Sequence, residues 1–167
     1  MKKIVPFLTV IIIISIIVII FLSMANKKQM IVIEENNHTH TPVDIKLNHY
    51  QDSQCGMTIT STKHSAQAVS KDGKTWFFDD IGCMTLWYEN VKNQNDIKLW
   101  VFSNDTNKYI DARTAWYKRT DATPMGYGFG AYETKEDKFI DFETMLLKML
   151  RNENLNNPYT KKELLGN

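Results

Sequence analysis

A run without a single charge, from Ile4 to Met24, constrains this chain more than any other feature. As a helix of about 21 residues rising about 1.5 Å each, it would reach across a hydrocarbon core of about 30 Å. A segment of this kind is a membrane anchor or the apolar stretch of an export signal. The apolar part of a signal runs about 7–15 residues, and this one is longer. Against that, Ser23-Met24-Ala25 offers small residues of the cleavage-site type. We read residues 1–25 as an N-terminal transmembrane helix, with a cleaved signal peptide as the alternative. Lys2 and Lys3 ahead of the run favour a cytoplasmic N-terminus, and Lys27 and Lys28 behind it weaken that bias. Either way, the rest of the chain is expected on the exported side of the cell membrane, periplasmic or extracytoplasmic. No cysteine lies near the run, so attachment through a lipidated cysteine is excluded.

The remainder is short enough for one domain or two very small ones. A net charge of +1 over 167 residues, with Lys and Arg scattered, gives no basic stripe and no electrostatic case for nucleic acid. Residues 26–50 are rich in Asn, Lys, Glu and His and read as a flexible linker. His38, His40 and His49 are expected to be solvated polar residues there, with a weak metal-collecting tail as the other possibility.

From residue 51 the pattern turns to short strands and two helices. MTITSTKHSAQAVS alternates loosely and meets the turn pair Asp72-Gly73. KTWFF reads as a second strand, and DDIGCMTLWYENV as a helix capped by Asp79 or Asp80, with Ile81, Met84, Tyr88 and Val91 on one face. IKLWVF, KYIDARTAWYKR and GYGFGAYE are further strands. A second helix follows Asp141, with the stripe Phe142, Met145, Leu146, Met149 and Leu150. Residues 156–167 read as a tail. The order strands, helix, strands, helix predicts an α+β fold of two related units, about 51–104 and 105–155.

The chain has two cysteines, and each has a methionine beside it: Cys55 with Met57, and Cys83 with Met84. On a strand, Cys55 and Met57 would point to one face. Cys83 falls in the first turn of the predicted helix, where the dipole stabilises a thiolate. It is equally a candidate for a buried apolar residue, a metal ligand or a disulfide partner. Met125 sits between Pro124 and Gly126, in a loop, where it has less reason to fill a core than Met145 or Met149. Soft sulfur donors select Cu(I) over hard ions. One thiolate with two thioethers leaves such a site formally neutral. No Cys/His pairs have the spacing of a structural zinc site. A thiol enzyme would need Cys83 to meet a base such as His64, a residue expected on the surface, and no motif surrounds the two. In an oxidising compartment the plain alternative is a Cys55–Cys83 disulfide holding together a binding module without a metal role.

Cys55-Gly56-Met57, Ala66-Gln67, Asp72-Gly73, FFDDIGCM at 77–84, DARTAWY at 111–117 and TPMGYGFGAY at 123–132 occur in that order. Together they resemble the NosL family, the copper-binding accessory proteins of nitrous oxide reductase, over roughly residues 53–150. The resemblance implies two small homologous ββαβ-like units, similar to a domain of organomercurial lyase, in a NosL-like copper-binding domain spanning 51–155. It implies an exported, membrane-attached copper chaperone rather than an enzyme. Such a protein binds Cu(I) and passes it toward nitrous oxide reductase or its maturation machinery. By motif, Cys55, Met57 and Met125 would be the copper ligands, with Cys83 and Met84 auxiliary or structural. Many members of that family are anchored through a lipidated cysteine; here an apolar helix would take that role.

Overall fold

The computed structural model describes residues 4–25 and 30–166, with side-chain burial described for 8–22 and 30–166. Lys2, Lys3, Lys27 and Lys28, which bear on orientation, lie outside the described residues, as do the side chains of Ser23, Met24 and Ala25. The charge-free run forms α1, Ile4–Ala25. Its described side chains, 8–22, cover about 22 Å of helix. Among the described residues no helix is long and apolar enough to cross a membrane.

The larger sheet has five strands: β1 (Ile33–Glu34), β2 (Ala66–Ser70), β3 (Thr75–Phe78), β4 (Ile97–Phe102) and β5 (Tyr109–Asp111). They lie in the order β1-β3-β2-β4-β5, antiparallel throughout. Asp72-Gly73 closes the β2–β3 hairpin, with Gly73 at φ 88°, where a side chain would be strained. Central strand β2 is buried along its whole length, so both faces of the sheet must be covered. Side-chain alternation along β3 shows how. Trp76 and Phe78 face α2 (Ile81–Glu89), stacking with Trp87 at centroid distances of 4.8 and 5.4 Å. Phe77 points the other way, into a small cluster with Tyr50 and Ile59, against which Val43 and Ile45 pack.

That second cluster corrects the linker reading, because residues 30–50 are pinned to the sheet. β1 pairs with β3. The Trp100 indole donates to the His40 carbonyl at 3.0 Å. Buried Gln67 accepts from the Val43 N–H at 2.8 Å and donates to the Val43 carbonyl at 2.7 Å. Polar composition hid this, since the bonds that hold the segment run largely through its backbone groups. Gln67→Leu fills the same space and leaves both Val43 groups without partners. We expect it to cost about 1–3 kcal/mol, read as a lower urea midpoint at an unchanged slope.

The second half holds the two-stranded sheet β6 (Trp116–Lys118) and β7 (Gly130–Tyr132), then α3 (Phe142–Leu150). α3 is capped by Asp141, whose carboxylate accepts from the Thr144 N–H. Its stripe buries Phe142, Met145 and Met149 in the main core beside Met84, Leu99 and Tyr117, and the Thr85 hydroxyl meets the Met145 sulfur at 3.6 Å. The run β2–β3–α2–β4 has the ββαβ order. In the second half a helix, α4 (Pro158–Leu165), stands where a closing strand would be. Its segment had read as a tail. Asn157 as cap and Pro158 in the first turn are the local signals for that helix.

Candidate metal centre

Cys55 does not lie on a strand. Residues 52–57 form a tight turn organised by Asp52, which is 1% exposed. One oxygen of its carboxylate accepts from the N–H groups of Gln54 and Cys55, at 2.7 and 2.8 Å. The other accepts from the Asp79 N–H at 2.9 Å. This Asx-type turn fixes the Cys55 backbone and ties the turn to the end of β3, 27 residues away. Gly56 completes it at φ 77°.

Asp79 and Asp80 sit side by side at the β3–α2 junction and do different work. Asp80 is the helix cap, accepting from the Gly82 N–H at 2.8 Å. Its second oxygen accepts from the Met125 N–H at 2.9 Å, which moors the Pro124-Met125-Gly126 loop on the start of α2. Gly82 is required there: a Cβ on it would come 2.3 Å from the Tyr127 ring. Asp79 is free of capping duty, and the Cys55 thiol points at its carboxylate with Sγ–Oδ1 3.9 Å. One turn into α2, Cys83 is 1% exposed and faces the same point.

The result is a four-residue group: Asp52, Cys55, Asp79 and Cys83. One ligand atom from each lies within 4.8 Å of all the others. Three of the four residues are buried and Cys55 is half-buried, so the group opens to solvent on the Cys55 side. Both thiols are free. Burial raises the pKa of the Cys55 thiol and so opposes its ionisation, partly offset by the Met57 N–H bonded to its sulfur. Burial pushes Cys83 well above the ordinary thiol range, and the surrounding charges, Asp52, Cys55, Asp80 and Asp79, all push the same way. A cation reverses that balance by stabilising the thiolates directly.

Burial, then the bond and charge shared with Asp52, raise Asp79 to about 7. A carboxyl whose folded pKa exceeds its unfolded value binds its proton more tightly when folded. Its contribution to stability is therefore full at low pH and is lost as pH rises from about 4 to about 7. The expected result is that Asp79→Asn raises the metal-free unfolding midpoint at pH 8 and leaves it nearly unchanged at pH 4, measured by thermal scans at both values.

The sulfur residues singled out from the sequence are thus placed unequally. Cys55 and Cys83 are brought together. Met125 is half-buried, and its loop is tied to the α2 terminus. Met57 is 41% exposed at the rim of the turn. Met84 is 1% exposed and packs in the main core. His64 is 4% exposed rather than on the surface, and its ring meets Asn104 at 3.2 Å, not Cys83. The His38–His40 segment lies along the β2–β3 hairpin, and no histidine belongs to the described group. Sequence reasoning missed the roles of Asp52 and Asp79. The available signals were an acidic residue three before a cysteine, and two adjacent aspartates where one helix needs a single cap.

No family model matches the sequence, and no curated protein matches it. Among solved structures, the chain is similar to the copper chaperone NosL from Shewanella denitrificans, with a TM-score of 0.44 and 18% identity over 65% of this chain and 89% of that one.

Proposed function

We propose that this chain is a carrier of Cu(I) rather than an enzyme. It would hold the ion through the Cys55 thiolate with the Met57 and Met125 thioethers, and Cys83 would stand behind Cys55 as an auxiliary sulfur. The carrying observation is that Cys55 and Cys83, far apart in sequence, lie in one group with Asp52 and Asp79, and that the segments bearing Met57 and Met125 are tied to that group's supports. The Asp52 turn bears Cys55 and Met57, the α2 terminus bears Cys83, and the Asp80-moored loop bears Met125. Soft sulfur donors of this kind favour a monovalent soft cation. A thioether does not protonate near neutral pH, so proton competition falls on the thiols alone.

Release is built into the same arrangement. Cys55 is half-buried and Met57 exposed, so an incoming donor reaches the ion from one side while Cys83 stays buried behind it. The motif resemblance to the NosL family supports a recipient in nitrous oxide reductase maturation. It also supports a position on the exported side of the membrane. The second reading, a disulfide-stapled binding module, draws on the proximity of the two sulfurs. Titration of the reduced full chain with Cu(I) in the presence of a chromophoric competitor separates the two. The carrier binds one equivalent, and Met125→Ala weakens binding by about 10-fold. Two stably oxidised cysteines, with no copper uptake after reduction, would establish the stapled module instead.

A further inference from the structure

A second buried polar group lies outside the metal centre, at the seam between the five-stranded sheet and the two-stranded one. His64, just ahead of β2, is 4% exposed. Its backbone is held at φ 67°, where a non-glycine residue is strained. Its Nδ1 faces the Asn104 Nδ2 at 3.2 Å, and the same Nδ2 donates to Asp121 Oδ2 at 3.2 Å. Asn104 follows β4, and its N–H donates to the Ala131 carbonyl of β7. Asp121 is tied down as well: Oδ2 accepts from the Tyr132 hydroxyl at 2.8 Å, and Lys118 Nζ stands 3.3 Å from Oδ1. A Cβ on Gly130 would run into that carboxylate, so glycine is what lets Asp121 lie across β7.

We infer that His64, Asn104 and Asp121 form a proton-operated clasp across this seam, which holds the Met125 loop in place while His64 is neutral and frees it when His64 takes up a proton. Its effect on copper rests on the carrier reading; the clasp itself does not.

The Asn104 amide has one orientation open to it. An oxygen in the place of Nδ2 would meet the Asp121 carboxylate, so the NH₂ stays there and His64 Nδ1 accepts from it. The ring is therefore neutral, with its proton on Nε2. Asn104 Oδ1 is buried without a partner among the described residues, so the amide is held this way at a cost. A proton on Nδ1 sets two donors against each other. Turning the amide over would offer Nδ1–H the unused oxygen but set that oxygen against Asp121. The remaining partner for the imidazolium is the Asp121 carboxylate itself, and reaching it displaces Asn104.

Burial opposes the charged ring, Asp121 favours it and Lys63 opposes it, and the net is a pKa below the ordinary value. Lys118 and the Tyr132 hydroxyl, which also engage Asp121, draw off part of its attraction. The folded chain thus binds this proton less tightly than the unfolded one. The clasp's contribution is full above about pH 6.5 and is lost as pH falls. Asp121 is also the base of the Met125 loop: its N–H donates to the Gly128 carbonyl at 3.0 Å and closes residues 121–128. Movement of its carboxylate toward His64 pulls on one end of the segment that presents Met125.

NMR of the reduced, metal-free, isotope-labelled full chain from pH 8 to pH 4.5 tests the clasp. The His64 ring is expected to titrate below its ordinary value, and the Asn104 side-chain amide signals should shift with the same midpoint. Hydrogen-exchange protection of the Asp121 amide should fall with it, by about 5-fold or more. His64→Asn keeps the left-handed backbone, which asparagine tolerates, and removes the titrating ring. Its Asp121 protection should stay flat. Between pH 7.5 and pH 5, wild type should lose about 5-fold more Cu(I) affinity than His64→Asn. Asn104 signals that ignore the His64 titration would overturn the clasp on the wild-type protein alone. Equal pH dependence of Asp121 protection or of Cu(I) affinity in the two proteins would overturn its hold on the Met125 loop. A clasp that opens in a protein taking up no copper removes the carrier and leaves this inference; copper uptake with Asn104 unmoved does the reverse.

Discussion

Cys55→Ala is expected to abolish tight Cu(I) binding, weakening it by more than about 100-fold. Removing an outer support of a metal site already costs about 10–100-fold, and here the half-buried sulfur at the mouth of the pocket is deleted. Cys83 cannot substitute. It is 1% exposed, its ionisation is opposed by burial and by three aspartates and Cys55 around it, and it lies on the buried side of the group. The fold should survive the change, because Cys55 lies in a turn whose conformation is set by the Asp52 carboxylate and the backbone. Competition titration against a Cu(I) chelator, with circular dichroism as the control for folding, measures both. Unchanged copper affinity in a folded Cys55→Ala protein would sink the carrier reading.

The second large effect is on stability. Asp52→Ala removes the acceptor for three backbone N–H groups, those of Gln54, Cys55 and Asp79, at a residue that is 1% exposed. A buried donor left without a partner costs about 1–3 kcal/mol, so a total of about 3 kcal/mol or more is expected. That corresponds to a fall of about 10 °C in Tm for a domain of this size. Asp52→Asn separates charge from hydrogen bonding. Its amide oxygen still serves the Gln54 and Cys55 N–H groups, while its NH₂ faces the Asp79 N–H and cannot accept. It should therefore recover part of the loss. Differential scanning calorimetry of the two variants checks the ordering. Equal Tm values for wild type and Asp52→Ala would show that the turn is held by something other than this carboxylate.

The site and the stability of the turn are thus one problem. The Asp52 bonds that keep residues 52–57 folded also present Cys55 to Cys83. The Asp80 carboxylate that caps α2 also anchors the Met125 loop to it. Close packing at this seam leaves little room: Tyr127 lies against Gly82, and a side chain there forces the Tyr127 ring to move. Gly82→Val is expected to loosen the Met125 loop and to weaken Cu(I) binding, read by competition titration beside the wild type.

Much of the architecture is local and was readable. α2 and α3 begin after an aspartate and carry apolar residues at helical spacing; β3 and β4 are short aromatic and branched runs; and Asp72-Gly73 turns the hairpin. Hydrogen bonds and side-chain periods within a few residues are enough to specify such elements, because the interacting groups are already neighbours along the chain. The same reasoning isolated Cys55, Cys83 and the Met125 loop as the places where chemistry would lie. What it could not supply was distance. Residues 30–50 read as a linker because their attachment runs through backbone groups to Gln67, Trp100 and β3, partners with no local signature. Asp79 read as a possible cap because only the fold shows that Asp80 takes that position and frees its neighbour for the cluster. Two cysteines 28 positions apart meet because one carboxylate spans from a turn to the end of a strand. That bond depends on how the sheet, the helix and the turn pack together, which no local pattern encodes.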